Sequence, residues 1–275
     1  MTKIFDGKTL AQNIREEIKK EVARMPTRPG LAVILVGEDP ASLIYVRNKK
    51  KAVEEAGVDF HSYHLAASAS EEKILEAVNF LNNDKAITGI IVQLPLPGHI
   101  DANKITQAIS PEKDVDGFHP ENIKKLLRGE KAIIPPTSQA VLAALDNSDE
   151  DLTGKKIIVL ANSMVLAVPI QALLEKRGFK AELVIARGSA SWPEKIKSAD
   201  VLIVAIGQPR AIKKEMVKEG AIVIDIGTSY VDGKTVGDVD FDEVKDKVSF
   251  ITPTPGGIGP LTVAFLLKNV MEMNK

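Results

Sequence analysis

The sequence predicts an α/β fold in two domains, and three observations carry the prediction. Segments of helical period alternate with short apolar runs of strand length, once before residue 132 and again after it. The two series are parted at 132–136 (AIIPP), where paired prolines interrupt regular structure. The 275 residues, at roughly 150 per domain, are enough for about two domains. The expected domains are therefore 1–136, with 256–275 returning to it, and 137–255.

In the first series, residues 10–25 (LAQNIREEIKKEVARM) read as an amphipathic helix, and 31–36 (LAVILV) is a buried-type strand. Asp39 offers an N-cap with Pro40 at the first helical position, which starts a helix that runs to about Ala56 and stops at Gly57. A strand over 59–65, a helix over 71–82 and an apolar strand at 89–93 (GIIVQ) follow. This βαβαβ order implies parallel strands with helices packed on them.

In the second series, Thr137 or Ser138 is placed to cap a helix over 138–147. Strands are expected at 156–160, 181–186, 201–205 and 221–225, with helices at about 165–176 and 192–197 between them. Four buried-type strands with intervening helices make a Rossmann-like nucleotide-binding domain. The final helix, 262–273 (TVAFLLKNVMEM), is the segment expected to return to the first domain.

Composition narrows the chemistry. Lys plus Arg number 36 against 37 Asp plus Glu, so the net charge is −1 and the basic excess of a nucleic-acid binder is missing. The chain has no cysteine, which excludes thiol nucleophiles, disulfides, Cys–zinc sites and iron–sulfur clusters, and fits a reducing cytoplasm. The first twenty residues carry acids and no apolar h-region, so no signal peptide is expected, and no apolar run approaches a membrane span. His61, His64, His99 and His119 follow no zinc-binding spacing, and no metal is expected.

Four stretches are candidates for function. On the helix 39–56, Ser42, Tyr45 and Lys49 fall on one face. Lys50 and Lys51 each have an acid four residues on, Glu54 and Glu55, whereas Lys49 has Tyr45 behind it and Val53 ahead. A lysine turned inward and stripped of water favours its uncharged form and serves as a base; the alternative is a solvated surface lysine. Gln93 ends a buried strand before LPLPG, at the carboxyl edge where parallel sheets bind ligands, or is the solvated amide of a turn. In 113–120 (KDVDGFHP) the aspartates suit a hydrogen-bonded heterocycle better than a metal, with an Asx-type turn as the alternative. In 251–261 (ITPTPGGIGPL) three glycines and three prolines make a rigid loop before a helix, whose backbone can approach a ligand closely, with an ordinary tight loop as the alternative.

Taken together and in order, ASLIYVRNK, VQLPLPG, KDVDGFHP and TPTPGGIGPLT closely resemble the methylenetetrahydrofolate dehydrogenase/methenyltetrahydrofolate cyclohydrolase family. The resemblance runs from IFDGKTLAQNI to the last helix and includes AIVIDIG and TVGDVDF. It implies that Tyr45 stacks on the aminobenzoyl part of folate and that Lys49 is the central catalytic group, tuned by Gln93. It places Ser42 and Asp116 in the folate site, with Asp116 on the pterin. It also implies that Pro255, Gly256 and Gly257, with Gly259 and Pro260, close over the pterin and nicotinamide. The implied reaction is oxidation of 5,10-methylenetetrahydrofolate with NADP, then hydrolysis of the methenyl form to 10-formyltetrahydrofolate. The family's cytoplasmic homodimer is implied as well.

The nucleotide loop departs from the family pattern Gly-Arg-Ser-x-x-Val-Gly-x-Pro. Here 161–169 reads ANSMVLAVP, so both glycines are alanine and the arginine that meets the 2′-phosphate is Asn162. Alanine adds a Cβ where backbone approaches a diphosphate, and it resists positive φ. The expected cofactor contacts are Ala161, Asn162, Ser163, Arg187, Ser189, Ala205, Gly207, Gly227 and Thr228. Arg187 stands at the end of the second strand, where NADP enzymes place a cation and NAD enzymes an acid. That position favours NADP, with NAD as the alternative nucleotide. Three readings follow: the bifunctional enzyme, a cyclohydrolase with weak or lost dehydrogenase activity, and a folate-binding protein without turnover.

Overall fold

The computed structural model describes residues Met1–Asn274. The chain folds as two units. One comprises Gln12–Pro136 and the chain from Val263 on, here called the N-terminal unit; the other comprises Met1–Ala11 and Thr137–Thr262, the C-terminal unit.

The chain opens with β1 (Lys3–Ile4) and α1 (Gly7–Val22). Then β2 (Gly30–Val36), α2 (Pro40–Glu55), β3 (Asp59–Leu65), α3 (Glu71–Asn83) and β4 (Gly89–Val92) form the expected βαβαβ. The short helices α4 (Ala102–Gln107) and α5 (Pro120–Leu127) complete this part. Strand order is β3-β2-β4, parallel throughout, with Leu31 opposite both Phe60 and Gly89. All seven residues of β2 are buried because it is the middle strand and both of its faces are covered; its apolar run therefore does not alternate. One face packs Leu31, Val33 and Leu35 with Ile18, Val53 and, from the last helix, Leu266 and Val270. The other packs Ala32, Ile34 and Val36 with Ile74, Val78 and Leu81.

In the second part come α6 (Pro136–Asp146), β5 (Ile157–Ala161), α7 (Met164–Lys176), β6 (Ala181–Ile185), α8 (Trp192–Ile196), β7 (Val201–Ala205) and β8 (Ile222–Asp225). They are followed by the hairpin β9 (Ser229–Val231) and β10 (Lys234–Val236), then α9 (Phe241–Val244), β11 (Phe250–Ile251) and α10 (Ile258–Met273). The C-terminal unit is a six-stranded parallel sheet in the order β1-β11-β8-β7-β5-β6. Apart from the edge strand β1, the first strand in sequence, β5, lies between the second and third, β6 and β7, so these five strands have the 2-1-3-4-5 order of a doubly wound sheet. The order in which strands are added reverses at β5, and the crevice at the carboxyl ends of these strands is where such sheets bind ligands.

Three expectations are corrected. Residues 1–11 belong to the C-terminal unit, because β1 pairs with β11 through Lys3–Phe250 and Ile4–Ile251. Two residues are too few for a periodic signal, and β11 is equally short. Thr137 and Ser138 do not cap α6, which already begins at Pro136, whose ring presets the helical φ. Finally, α10 begins at Ile258, so Gly259 and Pro260 lie in its first turn and not in the loop before it. Proline is tolerated there because a first-turn N–H has no intrahelical partner.

Candidate active site

Helix α2 starts where Asp39 accepts the N–H of Ser42 at 2.8 Å, with Pro40 in the first turn, and the chain leaves it through Gly57 at φ +81°. Its buried stripe is Ser42, Val46, Lys49 and Val53, a spacing of four, three and four that puts Lys49 on the inward face. Lys49 is 6% exposed, whereas Lys50 and Lys51 are exposed and pair with Glu54 and Glu55.

The Lys49 Nζ donates to Gln93 Oε1 at 3.2 Å and stands 5.0 Å from the centre of the Tyr45 ring. Both contacts offset part of the cost of taking the amine out of water. Gln93 follows β4, where its N–H donates to Ile34 O at 2.8 Å, and its Nε2 donates to Leu94 O at 2.8 Å. The amide is thereby oriented with its oxygen toward the lysine. Ser42 Oγ is buried and has no hydrogen-bond partner among the described residues.

Asp116 is presented by a turn that Asp114 holds. The Asp114 carboxylate accepts the N–H groups of Gly117 at 3.1 Å and His119 at 2.7 Å, and the Asn122 amide at 3.2 Å. Gly117 sits at φ +70°, and a Cβ on it would fall 2.8 Å from Pro135 N and 2.9 Å from Ile133 O, so no other residue fits. From α10, Asn269 donates to Val115 O at 2.8 Å and to Ile134 O at 2.9 Å, tying the turn down. Burial pushes the Asp116 carboxyl above its ordinary value, and the charge of Lys49 pulls it back. The two aspartates thus divide the work. Asp114 builds the turn and Asp116 feels the charge of Lys49.

The histidines are structural in the N-terminal unit. His119 Nδ1 accepts the Glu121 N–H and caps α5, while His64 and His99 bond to the carbonyls of Gly37 and Ala69. Among the described residues no cluster of three metal-binding side chains occurs, and no helix is long and apolar enough to cross a membrane.

In the C-terminal unit the expected cofactor residues gather at the carboxyl ends of the strands. Asn162 follows β5, Arg187 and Ser189 follow β6, Gly207 follows β7, and Gly227 and Thr228 follow β8. Ala161 and Ala167 are both fully buried, the one ending β5 and the other inside α7, and neither has positive φ. At these two positions no left-handed conformation calls for glycine. Ser163 caps α7, its Oγ accepting the Val165 N–H at 3.2 Å. The Asn162 side chain is turned to the neighbouring strand and donates to Ile206 O, so it does not stand in for the family's arginine. Arg187 is exposed and forms no ion pair among the described residues; Ser189 Oγ lies 3.3 Å from Ser191 Oγ on the same loop.

This end of the sheet suits a dinucleotide. A Cβ on Gly207, at φ +62°, would meet no atom within 4 Å, so its backbone is open to a ligand. The first turn of the 13-residue helix α7 points its N–H groups from the end of β5, as phosphate sites require.

Two buried acids of this unit went unnoticed in the sequence. Asp225, the last residue of β8, accepts N–H bonds from Gly227 at 2.8 Å, Asp238 at 3.2 Å and Val239 at 2.9 Å. Asp238 Oδ2 accepts those of Ile206 at 2.6 Å and Gly207 at 2.9 Å. The available signal was an aspartate next to or two residues from a glycine in DIG and GDV, at the end of an apolar run.

Comparison with known proteins agrees with both halves. Residues 5–116 match the family "tetrahydrofolate dehydrogenase/cyclohydrolase, catalytic domain", and residues 135–275 match its "NAD(P)-binding domain". A bifunctional protein FolD of Aquifex aeolicus is 47% identical over 281 residues, covering 100% of this chain and 96% of that protein. The crystal structure of a bifunctional FolD methylenetetrahydrofolate dehydrogenase/cyclohydrolase from Campylobacter jejuni superposes with a TM-score of 0.93 at 39% identity, covering 99% and 98% of the two chains. The Trypanosoma brucei enzyme, solved with NADP and an inhibitor, gives 0.92 at 36% identity, covering 99% and 97%.

Proposed function

Because the chain belongs to the tetrahydrofolate dehydrogenase/cyclohydrolase family, we propose that the lysine site of its N-terminal unit carries the family's chemistry. The protein oxidises 5,10-methylenetetrahydrofolate to the methenyl form with NADP and hydrolyses that product to 10-formyltetrahydrofolate. The observation that carries the assignment of residues is Lys49, a buried amine held by Gln93 and set against Tyr45.

Bound NADP supplies the acceptor for a hydride. The chain's part in that step is placement, with Tyr45 stacking on the substrate's aromatic ring, Asp116 accepting from the pterin, and Ser42 lending its unpartnered hydroxyl. Pro255, Gly256 and Gly257 contribute backbone to the substrate, and Gly259 and Pro260 belong to the same segment. In the hydrolysis, water adds to the methenyl carbon and one of its protons must leave before the ring opens. Lys49 is the group placed to take that proton, and Gln93 Oε1 holds its nitrogen in position.

Ala161, Asn162, Ser163, Ala205, Gly207, Gly227 and Thr228 form the nucleotide side, with Arg187 and Ser189 taking the 2′-phosphate. The exposed guanidinium of Arg187 at the carboxyl end of β6 supports this, as Arg pairs readily with phosphate. The ordinary backbone at Ala161 and Ala167 supports retention of the dehydrogenase activity. A cytoplasmic homodimer completes the proposal, on the family resemblance.

The test is two assays side by side. Absorbance of the methenyl product is followed with NADP and with NAD, and hydrolysis of added methenyltetrahydrofolate is followed with neither. Rapid formation with NADP together with hydrolysis is expected; hydrolysis with no formation would leave a cyclohydrolase alone.

A further inference from the structure

The C-terminal unit buries two carboxylates that the chemistry above does not use. Asp238 is fully buried and Asp225 is 2% exposed. No lysine, arginine or histidine pairs with either among the described residues. The chain's four histidines all lie between 61 and 119, in the other unit. Burial pushes both acids above their ordinary value, Asp225 to about 7, with the nearby Asp238 charge adding to the rise.

Such acids are costly to keep. Asp238 spends one oxygen on two backbone N–H groups, while its Oδ1 is buried with no partner. A half-satisfied buried carboxylate weakens a fold unless its position serves something else.

What it serves is legible from its surroundings. The two N–H groups belong to Ile206 and Gly207, the turn after β7 at the point where the strand order reverses. On its other side lies Gly227, where a Cβ would fall 2.3 Å from Asp238 Cγ and 2.5 Å from Oδ2. One carboxylate thus sits against the turns that follow β7 and β8, both expected to meet the nucleotide. Asp225 holds it there by accepting the N–H groups of Asp238 and Val239, and Gly237 makes room, since a Cβ there would fall 1.9 Å from Asp225 Oδ2. The tie continues to the turn after β5, because Ile206 O accepts from Asn162.

We propose that Asp238, seated by Asp225, is a positioning residue for nucleotide binding: its Oδ2 sets the Ile206–Gly207 turn against the Gly227 turn, and binding of the nicotinamide nucleotide depends on that geometry. The role is to accept two hydrogen bonds from a fixed point, and the negative charge itself is not required. The inference rests on the nucleotide reading given above.

The experiment measures NADPH affinity through the fluorescence of the single tryptophan, Trp192, which packs against the core of the same unit. Asp238→Ala should weaken NADPH binding by about tenfold or more, the cost of losing two hydrogen bonds to one carboxylate. Asp238→Asn keeps an oxygen at the same point and should bind within about threefold of the unchanged protein. Asp238→Glu keeps the charge but displaces the oxygen, and should lose affinity as alanine does, which keeps the test decisive if the alanine variant fails to fold. Methenyl hydrolysis without nucleotide should stay within about twofold in all three. NADPH affinity unchanged in Asp238→Ala and Asp238→Glu overturns the proposal, as does equal loss of hydrolysis and binding. An unsubstituted protein that binds no NADPH overturns the nucleotide reading itself and the clamp with it.

Discussion

The Lys49 amine and the Gln93 amide oxygen lie 3.2 Å apart, and the amide is fixed because its nitrogen is committed to the carbonyl of Leu94. Removing either partner has a different expected consequence. Lys49→Ala deletes the proton-transfer group and should lower methenyl hydrolysis by about 10²- to 10⁴-fold. Gln93→Ala leaves the amine in place but free to turn, and should lower kcat by about tenfold with little change in KM. Steady-state hydrolysis assays on the two variants check both; full activity in Lys49→Ala would remove the lysine from the mechanism.

Asp116 feels the charge of Lys49 and stands on a turn that Asp114 builds, so the two acids should fail in different ways. Asp116→Asn should raise KM for the folate substrate by about tenfold or more, as a hydrogen bond to a charged group is lost, with little effect on thermal stability. Asp114→Ala strands the N–H groups of Gly117 and His119 and should lower the Tm by several degrees, a loss of about 1–3 kcal/mol. Melting curves beside folate KM values separate binding from scaffolding.

Arg187 is exposed at the end of β6 without an acid to pair with among the described residues. Arg187→Ala should weaken NADP binding by about 10- to 100-fold, the worth of a charged contact to phosphate, and leave NAD binding nearly unchanged. Titration of both nucleotides measures the ratio; an equal change for the two would place the 2′-phosphate elsewhere.

Asp225 links the stability of its unit to pH. Its carboxyl rises from an ordinary value of 3.8 to about 7 on folding, so the folded chain holds a proton that the unfolded chain has already released. The stabilisation is complete below about pH 4 and lost as pH rises through 7, amounting to a few kcal/mol. Asp225→Asn should remove this slope. Melting temperatures of both proteins between pH 5 and 8 test it, and parallel curves would show that Asp225 does not titrate there.

The sequence disclosed the long elements and the lysine site for one physical reason: both are written in local spacing. Asp39 and Pro40 announce α2, and the acids four residues after Lys50 and Lys51 leave Lys49 as the inward lysine. What it concealed depends on residues far apart. The pairing of Lys3 with Phe250, and the hold of Asn269 on Val115, have no local signature. Asp114 and Asp116 look alike in the sequence, and only the closed turn tells scaffold from ligand. The alanines at 161 and 167 raise a question of conformation and one of ligand approach, and the backbone answers the first. The family's glycines suggest a conformational demand there, and in this chain the backbone at both positions is ordinary.

The strand β1, formed by the third and fourth residues, carries a consequence for synthesis. Its partner β11 follows every other strand of the sheet in chain order, so β1 is made long before it can pair. The N-terminal unit waits as well, since Leu266 and Val270 belong to its core. Neither half can therefore finish folding while the nascent chain is short. Each closes only after a distant segment has been made, and loss of Leu266 and Val270 would leave the N-terminal core open.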